Sequence, residues 1–248
     1  MVRCLDYAGD RPLAGDIHDK RNWGKHFADA CAVMCADALR ANSEFKKLEI
    51  RPLADGGGTE SLTGVGGGGK KKVDVIASTL ASGLQVAMSL KAENFPDSDG
   101  AFGKNLKNRM YELQDEVRSI HEYQPRAYVV GVLYLPLETC ADRSTRSSLA
   151  RSVGELRGRT GRLDFSLPTQ LNRLDWSVIG LYVPESVEGG PRRGVVRYFD
   201  VMEQDPPKNG RPKLETTLSL DEVVDKISRE YRQDPGETMS YAEPEPDE

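Results

Sequence analysis

The chain has 248 residues, 38% of them hydrophobic and 29% charged, with a formal net charge of −5. That length suits one large domain or two small ones, and the composition predicts a soluble globular core. No apolar run reaches the roughly 18 residues a membrane-spanning helix needs, and the charged stretch from Met1 to Asp10 has no apolar segment of a secretory leader. No membrane association and a cytoplasmic location are therefore expected.

The charge is unevenly spread. From Arg143 to Arg173, seven arginines face only Glu155 and Asp164, a net charge of +5. From Glu230 to the end, seven acids face Arg232 alone, a net charge of −6. The body of the chain is thus close to neutral, with one basic segment suited to a nucleic-acid backbone. Cys4, Cys31, Cys35 and Cys140 are too few and too scattered for a disulfide framework. Cys31 and Cys35 have a metal-ligand spacing, but no further Cys or His completes four ligands, which favours buried thiols.

In chain order, Trp23 to Arg40 reads as a helix, because Phe27, Cys31, Met34, Cys35 and Ala38 share one face. Residues 55 to 69 are glycine-rich and predict a loop. Val73 to Ser78 and Gln85 to Ala92 are β-rich runs around a turn at Ser82-Gly83, a hairpin. Phe102 to Tyr123 predicts a long helix with Leu106, Met110, Leu113, Val117 and Ile120 on its apolar face, closed by Pro125. Ala127 to Leu135 is almost continuously apolar, the pattern of a central strand covered on both faces. A short helix at 149–156, strands at 176–183 and 195–202, and a last helix opened by the Ser219/Glu222 capping box complete the pattern.

The expected fold class is α/β, a mixed sheet flanked by helices. Residues 1–136 form the first helix and the core that carries the chemistry. Residues 137–231 continue the same domain with the arginine-rich segment and further strands, and 232–248 form an acidic disordered tail.

The chemistry concentrates between Lys70 and Phe95. Ser89 and Lys91 alternate along one strand and point the same way. Asp74, on the paired strand, is placed to come alongside. A carboxylate, a hydroxyl and an ammonium at one sheet end, with the Leu90 carbonyl nearby, make an oxygen-rich place for Mg²⁺. Phosphodiester hydrolysis needs such parts: a cation to polarise the phosphoryl oxygens, and a lysine to orient water and stabilise developing charge.

Val73-Asp74-Val75, thirteen residues, then Ser89-Leu90-Lys91 resembles the Asp…(Asp/Glu)-x-Lys signature of the PD-(D/E)XK nuclease superfamily. The element order over about residues 23–136 resembles that superfamily's common core. The resemblance implies a restriction-endonuclease-like fold and a metal-dependent DNA endonuclease using Mg²⁺, with Mn²⁺ as a substitute, in restriction or phage defence. It makes Asp74 a metal ligand and Lys91 the catalytic lysine. Duplex DNA is the implied partner, with a homodimer or a defence-complex partner as further expectations. The runner-up is a catalytically inactive nuclease-fold subunit that binds DNA or joins a complex.

Two positions depart from the signature. Val73 replaces a proline of little consequence, and Ser89 replaces the second acid. Some restriction enzymes with Ser-x-Lys take the missing carboxylate from the following helix. Here Glu112, toward the solvent edge of that helix, is the first candidate for both catalysis and metal binding. Glu93, Glu116, Asp37 and Glu44 stand behind it.

Gly64 to Lys70 nearly fits a phosphate-binding P-loop, but Lys71 stands where Ser or Thr is required and a strand follows instead of a helix. Lys70, Lys71 and Lys72 are expected nucleic-acid contacts, together with Arg157, Arg159 and Arg162 from the basic segment. The dispersed His18, His26 and His121 fit neither a zinc site nor a catalytic triad.

Overall fold

The structure, a computed structural model, describes residues 1–54, 72–164, 167–186 and 188–233. Helix α1 (Val2–Ala8) precedes the long α2 (Ile17–Ala41). Asp16 accepts from the His18 and Asp19 amides, and Asp19 reaches back to the Asp16 amide, so a capping box starts α2 earlier than its apolar stripe predicts. Strand β1 (Glu49–Arg51) is followed by the hairpin of β2 (Val75–Thr79) and β3 (Gly83–Ala92). Then come α3 (Leu106–Tyr123), β4 (Tyr128–Pro136), α4 (Ser148–Arg157), β5 (Trp176–Tyr182), β6 (Val196–Asp200) and α5 (Leu220–Gln233).

The six strands form one mixed sheet in the order β1-β2-β3-β4-β5-β6. β1, β2 and β3 pair antiparallel, β3, β4 and β5 parallel, and β6 returns antiparallel. The expected hairpin, long helix, central strand, short helix, two strands and capped last helix are all present. The sheet runs without a break across residue 136, from β4 into β5. α1 and β1 escape a reading by periodicity because seven and three residues are too short to repeat a pattern.

Alternation along the strands divides the core in two. Val86, Met88, Leu90, Val130, Val132 and Tyr134 pack with α1, α2 and α5 on one face. Ala87, Val129, Leu133 and Ile179 pack with α3 and α4 on the other. β4 is buried on both faces over nearly its whole length, as a central parallel strand requires. Gly180 on β5 makes room for the tyrosines of the first face: a Cβ there would stand 2.7 Å from the Tyr134 ring and 3.2 Å from Tyr198. All four cysteines are free and buried, and burial raises the Cys35 thiol to about 12. Among the described residues no helix is long and apolar enough to cross a membrane.

The basic segment turns inward at three of its arginines. Arg162 is 7% exposed; its Nε donates to Asp175 Oδ1 at 2.9 Å and its Nη2 to the Ala127 carbonyl. Arg157 donates to the Val201 and Gln204 carbonyls and pairs with Asp205, and Arg159 pairs with Glu155 and Gln114. The three arginines expected to face phosphate are therefore engaged within the chain. Spacing and charge do not reveal this, because their partners lie on other elements.

Asp175 organises this corner. It accepts from Arg162 and from the Val129 amide at 2.6 Å, and His121 Nε2 lies 3.4 Å away. Removing one member of a buried pair strands the other charge. Asp175→Ala is expected to lower unfolding free energy by about 3–5 kcal/mol, read as a shifted urea midpoint. A midpoint within error of the wild type would refute the structural role.

Candidate functional site

β3 places Ala87, Ser89 and Lys91 toward α3, because Val86, Met88 and Leu90 take the opposite face. Ser89 is fully buried, and its Oγ donates to Glu116 Oε2. The Lys91 ammonium donates to the other oxygen of the same carboxylate at 2.7 Å. Both side chains of this ion pair are mostly covered, 12% and 18% exposed. Asp74 stands just before β2, whose pairing with β3 runs out at Val75 opposite Met88. The next outward-facing amide of β3, that of Leu90, would be left without a strand partner; Asp74 Oδ2 accepts it at 2.7 Å.

Ser89 and Lys91 thus meet on one carboxylate, that of Glu116, and Asp74 stands near enough to feel the charges of Lys91 and Glu116. Burial raises the Asp74 carboxyl above its ordinary value. The Lys91 ammonium and the Leu90 amide oppose that rise, whereas the negative charges of Glu116 and Asp29 add to it.

Glu112 lies elsewhere. It pairs with Arg109 at 3.0 Å and is half exposed. The two glutamates are near neighbours in helical phase, so axial position separates them. α3 runs antiparallel to β3, with Glu116 at Ser89 and Lys91 and Arg109 near Glu93. One turn, about 5.4 Å, carries Glu112 past Lys91 toward the strand's end. The expectation of a site at the sheet rim favours Glu112; the fully buried Ser89 puts the site under the body of the helix.

Of the other carboxylates, Asp37 pairs with Arg40 at 2.5 Å, and Glu44 lies in the turn after α2. Asp29, on α2, bears on Asp74 electrostatically and has no sequence motif around it. The only available signal is its place flanking the buried Phe27 and Cys31. Lys72 is exposed, while Lys70, Lys71 and the P-loop-like Gly64 to Lys70 lie outside the described residues.

No group of three or more His, Cys, Asp or Glu side chains is arranged to hold a metal among the described residues. Asp74 and Glu116 supply two carboxylates, and the Glu116 charge adds to the cost of ionising Asp74. Mg²⁺ commonly takes one or two carboxylates, retains water and completes its shell on a substrate phosphate. Two carboxylates do not form a closed protein cage, so a cation held by them would take the rest of its shell from water and substrate. The group that touches Asp74 is the Leu90 amide, not its carbonyl.

Comparison with family models, with curated proteins and with solved structures returned no match for this chain.

Beside the cluster, Glu93 is buried next to Arg109, 3.7 Å from its Nε. Burial lifts its carboxyl from 4.5 to about 7; Arg109 opposes the rise, and Glu112 and Asp97 add to it. The folded chain therefore holds this proton more tightly than the unfolded chain. The stability this supplies is complete below about pH 4.5 and is lost as pH rises through about 7. Relative to Glu93→Gln, the wild type should lose on the order of 3 kcal/mol between pH 4.5 and 8. Urea unfolding across that range tests this, and identical pH profiles would disprove it.

Proposed function

We propose that the chain is a metal-dependent DNA endonuclease of the restriction-endonuclease-like type, with Asp74, Ser89, Lys91 and Glu116 in its active site. The observation that carries the reading is the Lys91–Glu116 contact at 2.7 Å, with Ser89 on the same carboxylate and Asp74 on the neighbouring Leu90 amide. The helix before the hairpin, the hairpin itself, the following long helix and the apolar central strand agree with the core that the Asp74…Ser89-x-Lys91 resemblance implies.

Each residue has a distinct task. Asp74 and Glu116 offer anionic oxygens to Mg²⁺, or to Mn²⁺ in its place. When bound, the cation supplies polarisation of the phosphoryl oxygens and a lower pKa for water. Lys91 presents a fixed ammonium to the attacking water and to the charge that develops on the phosphate. Ser89 holds the Glu116 carboxylate toward Lys91, so the acid missing from the strand is replaced by one from α3. The Leu90 amide fixes Asp74 at the strand end.

Incubating purified chain with supercoiled duplex DNA, with and without Mg²⁺, tests the activity. Cleavage should require the metal and fall by at least about 100-fold in Asp74→Ala, Lys91→Ala and Glu116→Gln, with folding checked by circular dichroism. Glu112→Gln should cut nearly as the wild type does. Near-normal cutting by Lys91→Ala would falsify the site. Metal-independent binding of duplex DNA without cutting would assign the chain to the inactive, DNA-binding reading instead, which the absence of an acid at Ser89 favours.

A further inference from the structure

A second basic site lies where α3 begins. A cavity of about 250 Å³ there is lined by Lys104, Lys107, Arg143 and Arg151, with Asp97 and Glu155 as its acids. The four cations form no ion pair among the described residues. Glu155, in contrast, is held by Arg159 at 2.8 Å. The lining therefore has an excess of two positive charges. Arg143 lines the cavity, and its buried Nε lacks a hydrogen-bond partner among the described residues.

The walls are built, not incidental. Asp142 accepts from the Phe102 amide at 2.9 Å and from the Ser148 amide at 2.8 Å, and Ser148 Oγ donates to the Phe102 carbonyl at 2.5 Å. These bonds tie the segment before α3 to the start of α4. Gly103, at φ 107°, then turns the chain into α3. That helix has no side-chain cap at Asn105 and no acid in its first turn, so the positive end of its dipole also faces this corner uncompensated.

From this geometry we infer that the cavity between α3 and α4 binds a phosphomonoester. A terminal phosphate carries about −1.5 to −2 at pH 7, which matches the excess charge of the lining. A phosphodiester within a strand offers only one negative charge and matches that excess less well. Lys107 and Glu116 are nine residues apart on α3, about 13 Å along its axis. The cavity is therefore separate from the Lys91 centre, and the inference does not rest on the nuclease reading.

Isothermal titration of the full chain in EDTA tests it, with inorganic phosphate, a nucleoside monophosphate, and a short duplex ending in phosphate or in hydroxyl. At least one phosphomonoester should bind saturably. Lys107→Gln/Arg143→Gln and the exposed pair Lys107→Gln/Arg151→Gln should each weaken it at least tenfold, whereas Lys91→Ala should leave it within twofold. Tenfold preference for the phosphate-ended duplex over both the hydroxyl-ended one and free phosphate identifies a strand end as the source. Equal binding of the small phosphates identifies a free phosphate or nucleotide. Three results would overturn the inference: no saturable binding of any phosphomonoester, binding undiminished in both double variants, or both duplexes binding equally while small phosphates do not. No cleavage is read, so failure here leaves the nuclease proposal standing, and loss of cleavage leaves the cavity standing.

Discussion

An ammonium mostly covered by the sheet layer is tolerable only if an anion meets it there, because desolvating an unpaired charge costs several kcal/mol or more. Lys91 meets Glu116, and the rest of the site depends on that contact. It requires α3 to lie antiparallel over β3 at one axial position. The parallel β3–β4 pairing and the apolar stripe of α3 from Leu106 to Ile120 set that position. Ser89 takes the remaining oxygen of the carboxylate, so a serine in the strand does not leave a buried polar group unsatisfied.

The face under α1, α2 and α5 is mostly aromatic and aliphatic packing, with Phe27 against Tyr134 and Tyr182, Tyr134 against Tyr198, and hydroxyls paired to Cys35 and Asn94. It admits charge where the buried Asp200 meets Lys226 of α5 at 3.0 Å. The face under α3 and α4 admits charge at the Lys91–Glu116 cluster, with Glu93 and Arg109 beside it, and again at the Asp175–Arg162 pair at the far end of α3, beside His121. The helix that covers the charge in the first case also delivers the partner. In the second, the partner comes from a loop.

The basic segment divides along the same lines. Arg157, Arg159 and Arg162 close internal contacts that join α4 and the turn after it to β6, α3 and β5. Arg143 and Arg151 are left over and converge with Lys104 and Lys107 from another part of the chain. A run of like charges is thus spent partly on architecture. The surplus positive field appears beside α3, not along the run itself.

Element type was legible in the sequence wherever a pattern ran long enough to repeat: α2, α3, β4 and the capping box of α5 are local or periodic signals, governed by the chain's own neighbours. Asp74, Ser89 and Lys91 were legible as a group because a hairpin and the two-residue alternation of a strand bring them together. Glu116 was legible only as one of several acids. Choosing it over Glu112 depends on how far α3 slides along β3, a distance of one helical turn decided by packing across the sheet. Asp29 and the inward-turned arginines were hidden for the same reason. Spacing along a chain determines which residues share a face, but only tertiary packing determines which faces meet and in what register, and buried charges are assigned by that meeting.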